Sequence, residues 1–174
     1  AARRAGNSKA IRELESISPY FAFGHDAPLK NIYTQRRWLD YYGGVMAFRH
    51  GNSAESDLTK LSPDYTRDEL LRIWEGNRFS EFYLLAKLLS LDLSGIRDIK
   101  CPLIVFAGRE DVNVNSYVAE EWFSTVTAPS KQFVWFENAA HLLMTEKPGQ
   151  FLMSLVSDAL PIARRAGDAP KVSS

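Results

Sequence analysis

Cysteine is almost missing from this chain: Cys101 is the only one among 174 residues. No intrachain disulfide can form, so stability has to come from packing rather than covalent staples. The three histidines, His25, His50 and His141, lie far apart, and with a lone cysteine they offer no spacing that a metal site needs. No metal and no organic cofactor is expected. Charge of one sign is equally absent, since 21 Lys and Arg offset 21 Asp and Glu. That balance gives no general attraction for nucleic acid or for an anionic membrane surface, so neither is an expected partner. Long apolar runs are missing as well. The longest candidate, Phe82 to Leu93, is interrupted by Lys87 and Asp92 and falls short of the roughly 18 apolar residues a membrane helix requires. Arg3-Arg4 is followed by Lys9, Arg12, Glu13 and Glu15 rather than the apolar stretch of a twin-arginine signal. The chain carries no address, and a cytoplasmic location is the expectation.

What is present points to a folded domain: 45% of the residues are hydrophobic, and the length allows a sizeable core. The most informative stretch is Cys101-Pro-Leu-Ile-Val-Phe-Ala-Gly108-Arg-Glu-Asp111, followed by Lys131-Gln-Phe-Val-Trp-Phe136 and then Glu-Asn-Ala-Ala-His141. A short apolar run closed by glycine reads as a strand covered on both faces, the habit of parallel sheets. Cys101, at the mouth of the first run, then reads as a small buried filler. Asn113 to Val126 is long enough for a crossover helix, which makes the unit βαβ. Asp111 and His141 therefore leave the carboxyl ends of neighbouring strands, the edge where open α/β sheets place their ligands.

The amino-terminal half reads as helix. Ala10, Ile11, Leu14 and Ile17 recur at helical spacing before Pro19, and a second helix is expected over 29–46. Thr66-Arg-Asp-Glu69 has capping-box spacing, with Leu70, Leu71, Ile73 and Trp74 behind it. Ser80 is expected to open a further helix through Phe82, Leu84, Leu85, Leu88 and Leu89. The aromatic residues of this half read mostly as core. Gly95 to Lys100 reads as a hinge, Pro148 suits the first turn of a closing helix that Pro161 should end, and the polar residues from Ala163 onward read as frayed.

The strand-Asp and strand-His arrangement resembles the last third of an α/β-hydrolase, whose triad runs nucleophile, acid, histidine along the chain. Phe136-Glu-Asn-Ala-Ala-His141, with Glu146-Lys-Pro148 and Phe151 behind it and Ala128-Pro129-Ser-Lys131 before the strand, is especially similar to the prolyl iminopeptidase-like branch. The resemblance implies that Asp111 is the triad acid and His141 its base. It also implies a helical cap over residues 1–97 and the carboxyl-terminal part of the α/β core over 98–163, while the polar composition of 164–174 reads as a disordered tail. The activity implied is acyl transfer by a serine hydrolase, in particular a proline-iminopeptidase-like aminopeptidase acting on a small molecule or short peptide. Glu75 and Glu81 are candidates for holding a substrate amine, and Trp38 and Trp74 for the apolar wall of its cleft.

The nucleophile is the part that does not fit. The family carries it in a Gly-x-Ser-x-Gly elbow between a strand and a helix, and that pattern does not occur here. Gly6-Asn7-Ser8 and Gly51-Asn52-Ser53 come nearest, but neither follows an apolar run, so both serines read as loop or cap positions. A strand buried on both faces also wants neighbours on both edges, and this chain offers one. The expected partner is accordingly the missing amino-terminal half of the core. An esterase, an epoxide hydrolase or dehalogenase with an Asp nucleophile, or a non-catalytic module on the same scaffold are the alternatives. Glu110 is the adjacent rival for the acid. His25 and His50 read as exposed loop histidines.

Overall fold

A computed structural model describes residues 1–17, 29–49 and 59–168. His25, His50, Ser53 and Pro19 lie outside the described residues. The chain divides into two compact units, one made of Ala1–Tyr42 and Arg49–Leu93, the other of Gly43–Phe48 and Ser94–Ser174.

The first unit is helical. Helix α1 (Ser8–Glu15) starts where the Asn7 side chain accepts a hydrogen bond from the Ala10 N–H at 3.0 Å, which satisfies one of the orphan donors of the first turn. It packs against α2 (Leu29–Tyr41) through a small core of Ala2, Ala10 and Trp38, with Ile11, Leu14 and Tyr42 around it. The Trp38 indole N–H donates to Glu13 Oε2 at 2.7 Å, and Arg37 pairs with the same carboxylate. Helix α2 stops short of the expected Met46 because Gly43 takes a left-handed conformation, φ 78°, which ends a helix at little cost.

Helix α3 (Arg67–Leu89) opens on the expected capping box: Thr66 Oγ1 accepts from the Glu69 N–H at 3.3 Å, and Glu69 Oε2 accepts from the Thr66 N–H at 2.7 Å. The expected fresh start at Ser80 does not occur. One helix of 23 residues runs through Gly76 and Ser80, because extending a formed helix past a serine costs less than nucleating another. The expectation that its aromatics are core is also overturned: Trp74, Phe79, Phe82 and Tyr83 are all exposed. Large apolar residues circle α3 instead of keeping to one stripe, so a single face cannot bury them. Phe79 and Tyr83 cover each other in part, with ring centroids 4.7 Å apart.

The second unit carries strand β1 (Leu103–Gly108), helix α4 (Ser116–Thr125) and strand β2 (Lys131–Phe136). The strands pair in parallel, from Leu103 opposite Lys131 to Gly108 opposite Phe136. The βαβ expectation holds, whereas burial on both faces does not: most of both strands is half-buried, and only Ala107, Gly108 and Phe136 are buried. A sheet of two strands leaves the outer edges and much of each face open. Cys101 is exposed rather than a buried filler, since it lies ahead of the point where pairing begins. The core gathers at the carboxyl end of the strands, where Phe136 (0% exposed), Ala139 and Leu143 meet Phe106, Val134 and Phe151. The Phe106 ring lies 5.7 Å from those of Phe136 and of Phe151, edge-on to each. Full burial of Phe136 contributes about 2–3 kcal/mol.

Beyond β2 come α5 (Leu143–Glu146), α6 (Pro148–Ser154), a π turn over Leu155–Ala159 and α7 (Leu160–Ala166). Pro148 occupies the first turn of α6 as expected. Pro161 does not end the helical run. A proline ring clashes with the carbonyl one turn before it and has no N–H to give, and the widened π turn upstream relieves both problems. Helix α7 therefore includes Arg164–Ala166 and closes at Gly167, φ 79°. Residues 169–174 lie outside the described residues. Among the described residues no helix is long and apolar enough to cross a membrane, and no group of His, Cys, Asp and Glu could hold a metal ion.

The capping box makes the start of α3 sensitive to acid. Hydrogen bonds from Thr66, the backbone N–H first, hold the Glu69 carboxyl below its ordinary range. A depressed carboxyl pKa gives stability that is present above the unfolded value and is lost as pH falls through the folded one. Protection of the Leu70 and Leu71 amides, their exchange rate relative to that of an unstructured chain at the same pH, should therefore fall between about pH 5 and pH 3, and Glu69→Gln should abolish that dependence. An equal fall in protection in the variant would refute the assignment.

Candidate active site

Two parallel strands that end in register deliver their following loops to the same place. After β1 and β2 the loops are joined by main-chain hydrogen bonds, Arg109 N–H to the Phe136 carbonyl at 3.0 Å and Glu110 N–H to the Ala139 carbonyl at 2.9 Å. Contact is close enough to dictate the residue at the end of β1. A Cβ on Gly108 would lie 2.2 Å from the Ala140 carbonyl oxygen and 2.6 Å from that of Ala139, so only glycine fits. Asn138 turns the second loop with φ 56°, a conformation that Asn adopts more readily than other side-chain-bearing residues.

Asp111 and His141 meet across these loops, with His141 Nδ1 3.1 Å from Asp111 Oδ2. The other carboxylate oxygen, Oδ1, accepts from the backbone N–H groups of Asn113 at 2.8 Å and Val114 at 3.0 Å. Asp111 is thus buried, at 8% exposure, and fixed on both oxygens. A carboxylate accepts only, so the proton of this contact sits on Nδ1 and Nε2 is the ring nitrogen left to accept one. The His141 side chain is 37% exposed, so the ring is reachable from outside. Glu110, the rival acid, is exposed and contributes its backbone rather than its carboxylate.

The histidine loop is also held from behind, by residues to which sequence reasoning gave no role. Val45 O accepts from the N–H groups of His141 at 3.0 Å and Leu142 at 3.4 Å. Glu146 accepts the Ala140 N–H on Oε2 at 2.8 Å and the Ala47 N–H on Oε1 at 2.6 Å. Met46 and Ala47 are buried, while Phe48 beside them is exposed with φ 59°. Glu146 was visible as part of Glu146-Lys-Pro148; nothing local marks Val45 or Ala47.

On the flank, the Arg109 guanidinium stacks 3.8 Å from the Trp135 ring centroid and reaches Glu137 Oε1 at 2.8 Å. That bond to Glu137 raises the Arg109 pKa and keeps it firmly cationic. Trp135 in turn donates to Glu120 Oε1 at 3.2 Å.

The remaining candidates lie in the first unit. Trp38 is buried there. Glu81 accepts from the Tyr33 hydroxyl at 2.9 Å and from Asn77 at 3.2 Å, and its hydrogen bond raises the Tyr33 pKa. Glu75 and Trp74 are exposed on α3. Ser8 is the first residue of α1 and follows turns, not a strand.

No family model matches the chain, and no solved structure matches it. Among curated proteins it is similar to the probable aminopeptidase YbaC of Bacillus subtilis, with 30% identity over 81 residues. That match spans 46% of this chain but only 26% of the length of its relative. The similarity supports a peptidase or hydrolase relationship. The chain itself is a mixed α/β protein whose two-stranded parallel sheet is consistent with an incomplete α/β fold.

Gly108 tests the architecture directly. Gly108→Ala should cost about 3 kcal/mol, because the methyl meets backbone rather than a yielding side chain, and should push apart the loops that carry Asp111 and His141. Thermal unfolding measures the first effect and loss of the Asp111–His141 contact in a crystal structure the second. A variant with unchanged stability and an intact contact would contradict the packing described.

Proposed function

We propose that this chain is the helical cap and the carboxyl-terminal part of the core of an α/β-hydrolase, a serine hydrolase that acts by acyl transfer as a proline-iminopeptidase-like aminopeptidase. The observation that carries the reading is the buried Asp111 placed 3.1 Å from His141 at the carboxyl ends of two parallel strands. Similarity to a probable aminopeptidase supports the same class. In this reading residues 1–97 form the cap and 98–163 belong to the core. The missing half of the sheet, the serine nucleophile and the oxyanion donors come from residues outside this chain. Half-buried strands with open edges agree with such a division.

In the proposed reaction His141 Nε2 takes the proton of the serine hydroxyl as it attacks the acyl carbon, then returns it to the leaving amine. Asp111 holds the Nδ1–H tautomer and stabilises the imidazolium formed in between. Glu75 and Glu81 are the carboxylates proposed to receive the substrate's free amine, with Trp74 proposed to supply apolar wall and Trp38, packed in the core between α1 and α2, to back it from within.

The complete gene product should hydrolyse alanine or proline arylamides and be silenced by a serine-directed reagent, whereas the 174 residues alone should show no turnover. Activity of this chain by itself, sensitive to that reagent, would refute the division. A Gly-x-Asp in place of the Ser elbow would turn the assignment toward an epoxide hydrolase or dehalogenase.

In the complete enzyme Asp111→Asn should lower kcat by up to ~10⁴-fold without loss of fold, and His141→Ala comparably. Glu110→Gln should cost far less, its side chain being outside the pair. Near-normal kcat in Asp111→Asn together with a crippled Glu110→Gln would show that the acid is misassigned.

A further inference from the structure

Asp111 fixes the imidazole of His141 from one side, but a side chain is only as well placed as the backbone that carries it. That backbone is held by a closed circuit of hydrogen bonds. Ala140 N–H donates to Glu146 Oε2 at 2.8 Å, Ala47 N–H to Glu146 Oε1 at 2.6 Å, and His141 N–H to Val45 O at 3.0 Å. Glu146 closes the circuit because each of its oxygens takes a different segment, the histidine loop on one and Gly43–Phe48 on the other. Its own N–H donates to the Leu142 carbonyl at 2.9 Å, which anchors the carboxylate to the same loop.

We propose that Glu146 is a positioning residue for His141, acting through the backbone of Ala140 and through the segment Gly43–Phe48 to keep the imidazole against Asp111. A carboxylate suits this task better than an amide. Both of its oxygens accept and neither donates, and both partners here are N–H groups. A glutamine would turn its own NH₂ toward one of them. The strain beside the contact has the same source. An aromatic residue at φ 59°, as Phe48 is, persists only where its surroundings over-determine it, and the Ala47–Glu146 bond is the adjoining restraint. Deletion of the carboxylate therefore releases both segments at once.

The catalytic part of this proposal rests on the aminopeptidase reading; the positional part does not. The test uses the complete gene product labelled with ¹⁵N-histidine, as wild type, Glu146→Ala and Glu146→Gln. Imidazole ¹H–¹⁵N correlations report the tautomer of His141, and kcat and KM are measured with alanine arylamide. Wild type should show the Nδ1–H form alone. Glu146→Ala should show a mixture of tautomers, with kcat down ~10²-fold and KM within about twofold; Glu146→Gln should fall between. A folded Glu146→Ala that keeps one tautomer and wild-type kcat would overturn the proposal, even if its unfolding temperature drops. Should the alanine variant fail to fold, the glutamine variant decides by the same two readings. Should wild type hydrolyse no arylamide, the aminopeptidase reading falls and the tautomer alone judges Glu146.

Discussion

The close approach of two loops at the end of a parallel strand pair is the constraint on which the candidate site depends. Because Gly108 stands opposite Phe136, the chain leaves both strands at the same level and on the same edge. The missing side chain at Gly108 lets the Ala139 and Ala140 carbonyls settle against β1. The buried ring of Phe136 fixes the other loop from beneath, with Leu143 and Phe106 around it. Remove either feature and the distance between acid and base is no longer determined by the sheet.

Much of this was legible in the sequence, for reasons that are local. Leu103–Gly108 and Lys131–Phe136 are short apolar runs bounded by polar residues, and a strand needs little more to be recognised. That Asp111 and His141 leave the same edge followed from their places after those runs; their pairing as acid and base was what the resemblance to α/β-hydrolases implied. The Thr66–Glu69 box was equally plain, since both of its partners lie within one turn. What escaped was whatever depends on distant chain. Val45 bonds the histidine loop across a sequence separation that no periodicity reveals, and Ala47 meets Glu146 from 99 residues away. Ser80 looked like a helix start because serine often caps, but Arg67–Leu89 was already helical when it reached that serine.

Exposure was the other failing of sequence reasoning. The aromatic residues of the amino-terminal half were read mostly as core, yet Trp74, Phe79, Phe82 and Tyr83 are all more than half exposed. Residue type tells how much a side chain gains from burial and not whether a covering surface is at hand. The half-buried faces of β1 and β2 make the same point for the sheet.

The separation between Asp111 and His141 sets the order in which the site can come into being. The two are 30 residues apart, and closing a loop of that length carries a length-dependent entropy cost of about 3 kcal/mol. One hydrogen bond to a charged group returns about 1.5–3 kcal/mol net, too little to hold such a loop shut unaided. The ladder from Leu103 and Lys131 to Gly108 and Phe136 has to close first. The acid and the base are then brought together by strand pairing, and they separate whenever that pairing opens.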